Sequence, residues 1–168
     1  MILRYLKTQR RADAALLGKT SLLLESGYKK LTGYETPRRG YEWFGAAPAH
    51  EALSAYGLMQ FVDMQTVYPE VDREMIRRTA SWLRGRRDGQ GGYQKDGKAL
   101  DTFGRASKEV TDAYITYSLT EAHQSDLDAE LSVSERLGRD SNDGYLLALA
   151  ANSLLNAGRR DAGQAAVK

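Results

Sequence analysis

The stretch Trp82-Leu83-Arg84-Gly85-Arg86-Arg87-Asp88-Gly89-Gln90-Gly91-Gly92-Tyr93-Gln94 joins the end of a helical pattern to a glycine-rich loop. Its first half closes an apolar pattern, Met75, Ile76, Ala80, Trp82 and Leu83, at helical spacing. Asp72 stands where that helix needs a cap, so a helix is predicted from Arg73 to about Arg87. The second half is rich in glycine, which does not sustain a helix, and predicts a loop over 88–106. Ser107 then offers a second cap, and Val110, Ala113, Tyr114, Tyr117 and Leu119 restore the helical period to His123.

Working outwards, the same unit recurs upstream. Gly33-Tyr34-Glu35 and Phe44-Gly45 stand 59 positions before Gly92-Tyr93-Gln94 and Phe103-Gly104. Ala55-Tyr56 stands 58 before Ala113-Tyr114, and Asp112-x-Tyr114 is echoed by Asp143-x-Tyr145. The repeat is a helix, a long aromatic loop, a helix and a short turn. A helical hairpin cannot bury its apolar face alone, so such units stack. Long loops then gather at one end, with Tyr34, Trp43 and Phe44 expected as aromatic plugs and Trp82 as core. That end is where function is sought.

The remaining elements follow the same rules. A short segment covers Ile2 to Gln9. Asp13 caps a helix to about Leu31, and Pro48 suits the first turn of one through Met64. Asp126 is expected to cap a helix to about Leu137, and Asp143 one from Gly144 to Ala157. The latter is apolar on nearly every side and is expected to be buried all round, with Gly158 stopping it. A frayed helix over 161–167 completes an all-α reading with no alternating strand.

Composition narrows the function classes. The 168 residues fit one domain. Twenty-four basic and 22 acidic residues leave a charge of +2, with no footprint for nucleic acid. No apolar run approaches the ~20 residues of a membrane span. There is no cysteine, hence no disulfide, thiolate metal site or cysteine nucleophile in these residues.

Motif tests are mostly negative. Gly18-Lys19-Thr20 fails as a phosphate loop because position 13 is Asp13. The glycines near 89–92 fail as a dinucleotide fingerprint because Gln94 stands at the third glycine. Asp140–Asp143 fails as a calcium loop at Tyr145 and Ala151. His50 and His123 alone make no metal site, so neither metal nor cofactor is expected. Glu35, Glu42, Asp88, Asp96 and Asp101 fall in the aromatic loops, where two of them at glycosidase spacing would serve as acid and base. The basic groups Arg84-Arg86-Arg87 and Arg38-Arg39 read as solvated faces, or as surfaces for an acidic partner.

The ordered set Trp43-Phe44-Gly45, His50–Gly57, Trp82-Leu83, Asp88–Gln94, Phe103-Gly104, Glu109–Ile115 and Asp143–Ala150 resembles the thioester domain of bacterial and animal alpha-2-macroglobulin-like proteins. The likeness spans nearly the whole chain. It implies an α/α toroid of the terpenoid-cyclase type, here a middle slice with an incomplete ring. It also implies a non-enzymatic part of a protease-trapping endopeptidase inhibitor, related to complement. Family members carry a thioester in a Cys-Gly-Glu-Gln-like motif; the resemblance places that motif upstream of this chain. Implied thioester-facing candidates are Tyr93, Asp101, Phe103 and Glu109. Complement relatives have histidine eight residues after the aromatic, and here that position is Asp101, which implies a preference for amines over hydroxyls. Implied partners are other domains of a parent protein and, through it, target proteases. An extracellular, periplasmic or cell-envelope setting is implied as well. Open apolar flanks lead to an expectation of self-association. The rival readings are a toroid enzyme acting on polysaccharide or isoprenoid, and a helical-repeat scaffold that binds protein.

Overall fold

A computed structural model describes Tyr5, residues 13–98 and residues 106–167. Within these it contains seven helices: α1 Ala14–Thr32, α2 Glu51–Gln65, α3 Arg73–Arg84, α4 Lys108–Glu121, α5 Asp128–Asp140, α6 Gly144–Asn156 and α7 Arg160–Ala165. No strand forms among the described residues; the only ladder-like pairings are two isolated bridges, Glu35 with Tyr41 and Arg87 with Tyr93. Of the segment expected over 2–9, only Tyr5 is described, helical and exposed.

The helices sort into two layers. α2, α4 and α6 pack side by side in sequence, α4 between the other two. α3 lies against α2, while α5 and α7 lie against α6. The layering follows from composition. α4 buries Thr111, Ala113, Ile115, Thr116, Ser118, Leu119 and Thr120, residues on nearly every side, as a helix flanked by neighbours must. α3 buries one stripe, Met75, Ile76, Thr79, Ala80 and Leu83, and turns arginines outwards. Phe61, Leu58, Met75, Leu83, Ile115, Leu119 and Leu154 are among the fully buried side chains that join the layers.

The row formed by α2, α4 and α6 carries small buried hydroxyl residues. Thr111, Ser118, Thr120 and Ser153 each donate to a carbonyl three or four residues back in their own helix. Ser54 and Thr79 do the same on α2 and α3. Such back-bonding satisfies the hydroxyl's donor within its own helix and leaves its oxygen able to accept from elsewhere, as Ser54 does from Tyr41.

Four of the five expected caps form. Asp13, Asp72, Ser107 and Asp143 each accept a backbone N–H in the first turn. Asp126 does not cap. It adopts φ 59, ahead of Leu127 at the start of α5, and its carboxylate meets Arg84 instead. Pro48 also lies outside its helix, because His50 takes the cap position, its Nδ1 accepting from the Leu53 N–H. α3 ends at Arg84 rather than Arg87, and His123 lies beyond the end of α4 with φ 54. Gly158 adopts φ 79 and ends α6 as expected.

α6 is not buried all round. It presents Tyr145, Ala148, Asn152 and Leu155 to solvent, an i, i+3, i+7, i+10 stripe down one side. At the other end of the chain, α1 exposes Leu16, Leu22 and Leu23.

Candidate functional site

Both long loops sit at the end of the molecule where α2 and α4 begin. In the first, the Thr36 N–H donates to Gly40 O at 2.9 Å and the Glu42 N–H to Tyr34 O at 3.2 Å. In the second, Asp88 donates to Gly92 O at 2.9 Å and Gln94 to Arg86 O at 2.7 Å. The two tight turns therefore share one hydrogen-bond frame, with Gly40-Tyr41 matched to Gly92-Tyr93.

This corrects the register of the repeat. The counterpart of Tyr93 is Tyr41, 52 positions earlier, not Tyr34. Both tyrosines are plugs, Tyr41 at 5% and Tyr93 at 0% exposure, each anchored from the following helix. The Tyr41 N–H donates to Ser54 Oγ at 2.8 Å, and the Tyr93 N–H to Asp112 Oδ1 at 3.3 Å. Each phenol faces a threonine, Thr79 or Thr116, without a hydrogen bond of good geometry. Burial raises both phenol pKa values well above the usual range. The third echo also fails: Asp112 acts from within α4 on Tyr93 and Lys108, whereas Asp143 is a cap.

Trp43 and Phe44 are not plugs. They are 45% and 80% exposed, because Tyr41 already fills the space beneath the loop. Tyr34 is half-buried against the core. Trp82 is half-buried, its ring close against Gly40. Of the thioester-facing candidates, Tyr93 lies wholly in the core and Glu109 is exposed in the first turn of α4. Asp101 and Phe103 lie outside the described residues.

Ion pairs fix the second loop from both sides. Arg86 reaches Glu51 at 2.9 Å, and Glu51 Oε1 also accepts the Asp96 N–H at 3.0 Å. Arg87 turns the other way to Glu130 on α5 at 2.8 Å. Both carboxylate side chains are 4% exposed. Arg86 and Arg87 thus serve the interior rather than a solvated face. Lys108 bridges Asp88 at 3.1 Å and Asp112 at 2.5 Å across Gly92. The N–H of Gln90 and then Lys108 hold Asp88 below the usual carboxylate range. Burial opposes the charge on Lys108, but Asp112 and Asp88 prevail and raise its pKa.

The first loop has its own clamp. Glu35 accepts two guanidinium bonds from Arg78, each 2.7 Å. These, with Arg78's charge, hold the Glu35 carboxyl below its ordinary value against the opposing effect of burial. A group whose folded pKa is depressed contributes stability above its unfolded pKa and loses it as pH falls through the folded value. Wild-type thermal stability is therefore expected to drop below about pH 4, the ordinary glutamate range. A Glu35→Gln variant should start lower at pH 7 and show a shallower acid loss; calorimetry from pH 7 to 2.5 reads both.

Among the described residues, the loop carboxylates Glu35, Glu42, Asp88 and Asp96 do not form an acid–base pair; Asp101 lies outside them. Glu35 is taken by Arg78, Asp88 by its turn and Lys108, and Asp96 accepts the Lys98 N–H. Glu42 is 3% exposed; its Oε2 accepts the Phe44 N–H, and its Oε1 has no hydrogen-bond partner among the described residues. No group of three His, Cys, Asp or Glu side chains among the described residues is placed to hold a metal. No described helix is long and apolar enough to cross a membrane.

Sequence reasoning missed Tyr41, Glu51, Glu130 and Arg78. Gly-Tyr-Glu occurs at both 33–35 and 40–42, and the spacing to Phe-Gly pointed to the wrong copy. What the geometry describes is a helical array whose paired aromatic turns share one face. The sequence model of the A-macroglobulin TED domain matches residues 1–157, and the chain accordingly belongs to the alpha-macroglobulin thioester-domain family.

Proposed function

We propose that this chain forms an arc of an α/α toroid in the thioester domain of a protease-trapping, alpha-2-macroglobulin-like protein. Its own part is structural and non-enzymatic. The observation that carries the reading is that the two aromatic turns repeat one hydrogen-bond frame on the face where α2 and α4 begin. An inner row of α2, α4 and α6 with α3, α5 and α7 outside them supports the toroid. Solvent-facing Tyr145 and Leu155 on α6, with Leu16, Leu22 and Leu23 on α1, supply flanks for further helices or for self-association. The thioester would come from a Cys-Gly-Glu-Gln-like motif elsewhere in the parent, since no cysteine stands here. An extracellular, periplasmic or cell-envelope setting follows from the same reading.

In a parent with an intact thioester, Asp101 in the position of the complement histidine supports direct attack by lysine amines. The test is to add elastase to the intact parent and analyse the products under denaturing conditions. Protease bound through amide links that resist alkaline hydroxylamine is the expected result. Conjugates mainly released by hydroxylamine, hence esters, overturn the amine preference. Full activity of the treated protease towards a large protein substrate overturns the trapping role.

A further inference from the structure

A cleft of about 610 Å³ opens between the two long loops. Its lining includes Arg38, Arg39 and Pro48 from the first loop, Trp82 from α3, and Arg86 and Lys98 at the second. The volume falls within the usual range of ligand pockets, ~300–1,000 Å³. Four of its side chains are cationic and one, Asp96, is acidic.

The cations are not equally engaged. Arg86 is committed to Glu51 and lies over the Trp82 ring, 6.0 Å from its centroid. Arg39 makes only a long 3.4 Å contact with Glu35, and its side chain is 57% exposed. Arg38 and Lys98 are exposed and make no side-chain ion pair among the described residues. Among the described residues, one cation on each wall is therefore without an ion-pair partner, and Trp82 and Pro48 add apolar surface to the lining.

We infer that this cleft binds a short acidic peptide segment of a partner protein, its carboxylates met by Arg38, Arg39 and Lys98 and an apolar side chain resting on Trp82. Guanidinium forks match carboxylates in two-point geometry, and the lysine adds a point charge. The surroundings favour a short segment over a long polyanion. Glu35, Glu51, Glu74 and Asp96 stand among these same cations, and the chain as a whole carries only +2. A nucleic acid or sulfated glycan tracking across this surface meets repulsion on leaving the cleft. The inference rests on the cleft alone and stands whether or not the parent traps proteases.

The probe is a fluorescein-labelled peptide of six glutamates with one central leucine, titrated by anisotropy into the 168-residue chain. Saturable binding at or below about 1 mM is expected, weakening between low and high salt. The Arg38→Ala/Lys98→Ala variant should weaken it by tenfold or more, because both side chains are exposed and neither supports the fold. The Arg136→Ala/Arg139→Ala variant, on exposed positions of α5, should bind as the wild type does. The all-glutamine analogue should not bind. Three results overturn the proposal: no saturable binding, equal loss in both variants, or tighter binding of a sulfated hexasaccharide or a single-stranded oligonucleotide that depends on Arg38 and Lys98.

Discussion

Glu51→Ala is expected to lower the unfolding free energy by about 3 kcal/mol in a denaturant titration. Its carboxylate is 4% exposed and serves two partners, the Arg86 guanidinium at 2.9 Å and the Asp96 N–H at 3.0 Å. Removing one member of a buried pair costs ~3–5 kcal/mol, because the remaining charge loses its counter-ion without regaining water. Arg86 is 26% exposed and recovers some hydration, which places the effect at the low end of that range. Glu51→Gln keeps an acceptor for Asp96 but gives up the charge, so it should cost about half as much. Amide hydrogen exchange should locate the damage. Protection is lost first at Asp96 and Gln94, the part of the second loop that Glu51 and Arg86 hold, while Ile115 and Leu119 in α4 change little. A loss below 1 kcal/mol for the alanine variant would mean that the pair adds little to the fold.

The second large effect separates two glycines two residues apart. Gly89 and Gly91 both adopt positive φ, 79° and 85°. An alanine at either pays about 1–2 kcal/mol for a left-handed backbone. Beyond that they differ. A Cβ at position 89 meets nothing within 4 Å, whereas one at position 91 comes within 2.6 Å of Ala129 O and of Val133 Cγ2. Backbone on α5 cannot yield as a side-chain tip does, so overpacking adds ~1–3 kcal/mol. Gly91→Ala is expected to cost about 4 kcal/mol and lower Tm by roughly 10 °C, Gly89→Ala less than half of either. Equal melting temperatures for the two variants would show that α5 does not press on this turn.

The parts of the fold written locally in the chain were legible, and those written across it were not. Asp13, Asp72, Ser107, Asp143 and Gly158 mark helix ends because a cap needs only its own first or last turn. Asp126 misled for the opposite reason: a nearby arginine, 42 residues away, competes for its carboxylate. The clamps at Glu35–Arg78 and Glu51–Arg86 join positions 43 and 35 apart, and no periodicity announces them. The repeat was visible but its register was not, since two Gly-Tyr-Glu tripeptides compete and only hydrogen bonding shows which one turns. The Gly-aromatic pairing of the repeated loops points Trp43 and Phe44 inwards as plugs, yet the buried plug of the first loop is Tyr41. The candidate cleft was half visible, as Arg38-Arg39, while its opposite wall at Lys98 needed the loops to be brought together.

The inner row's hydroxyls spend their donors at home, and across the seam between α4 and α6 one of the few direct polar ties is Asn156, which donates to Glu121 at 2.7 Å and to Thr120 at 3.3 Å. Among the described residues, those two helices otherwise meet mainly through apolar side chains, Ala113 with Leu146, Leu149 and Ala150. The Asn156 latch sits at the C-terminal ends of both helices, the end remote from the aromatic turns.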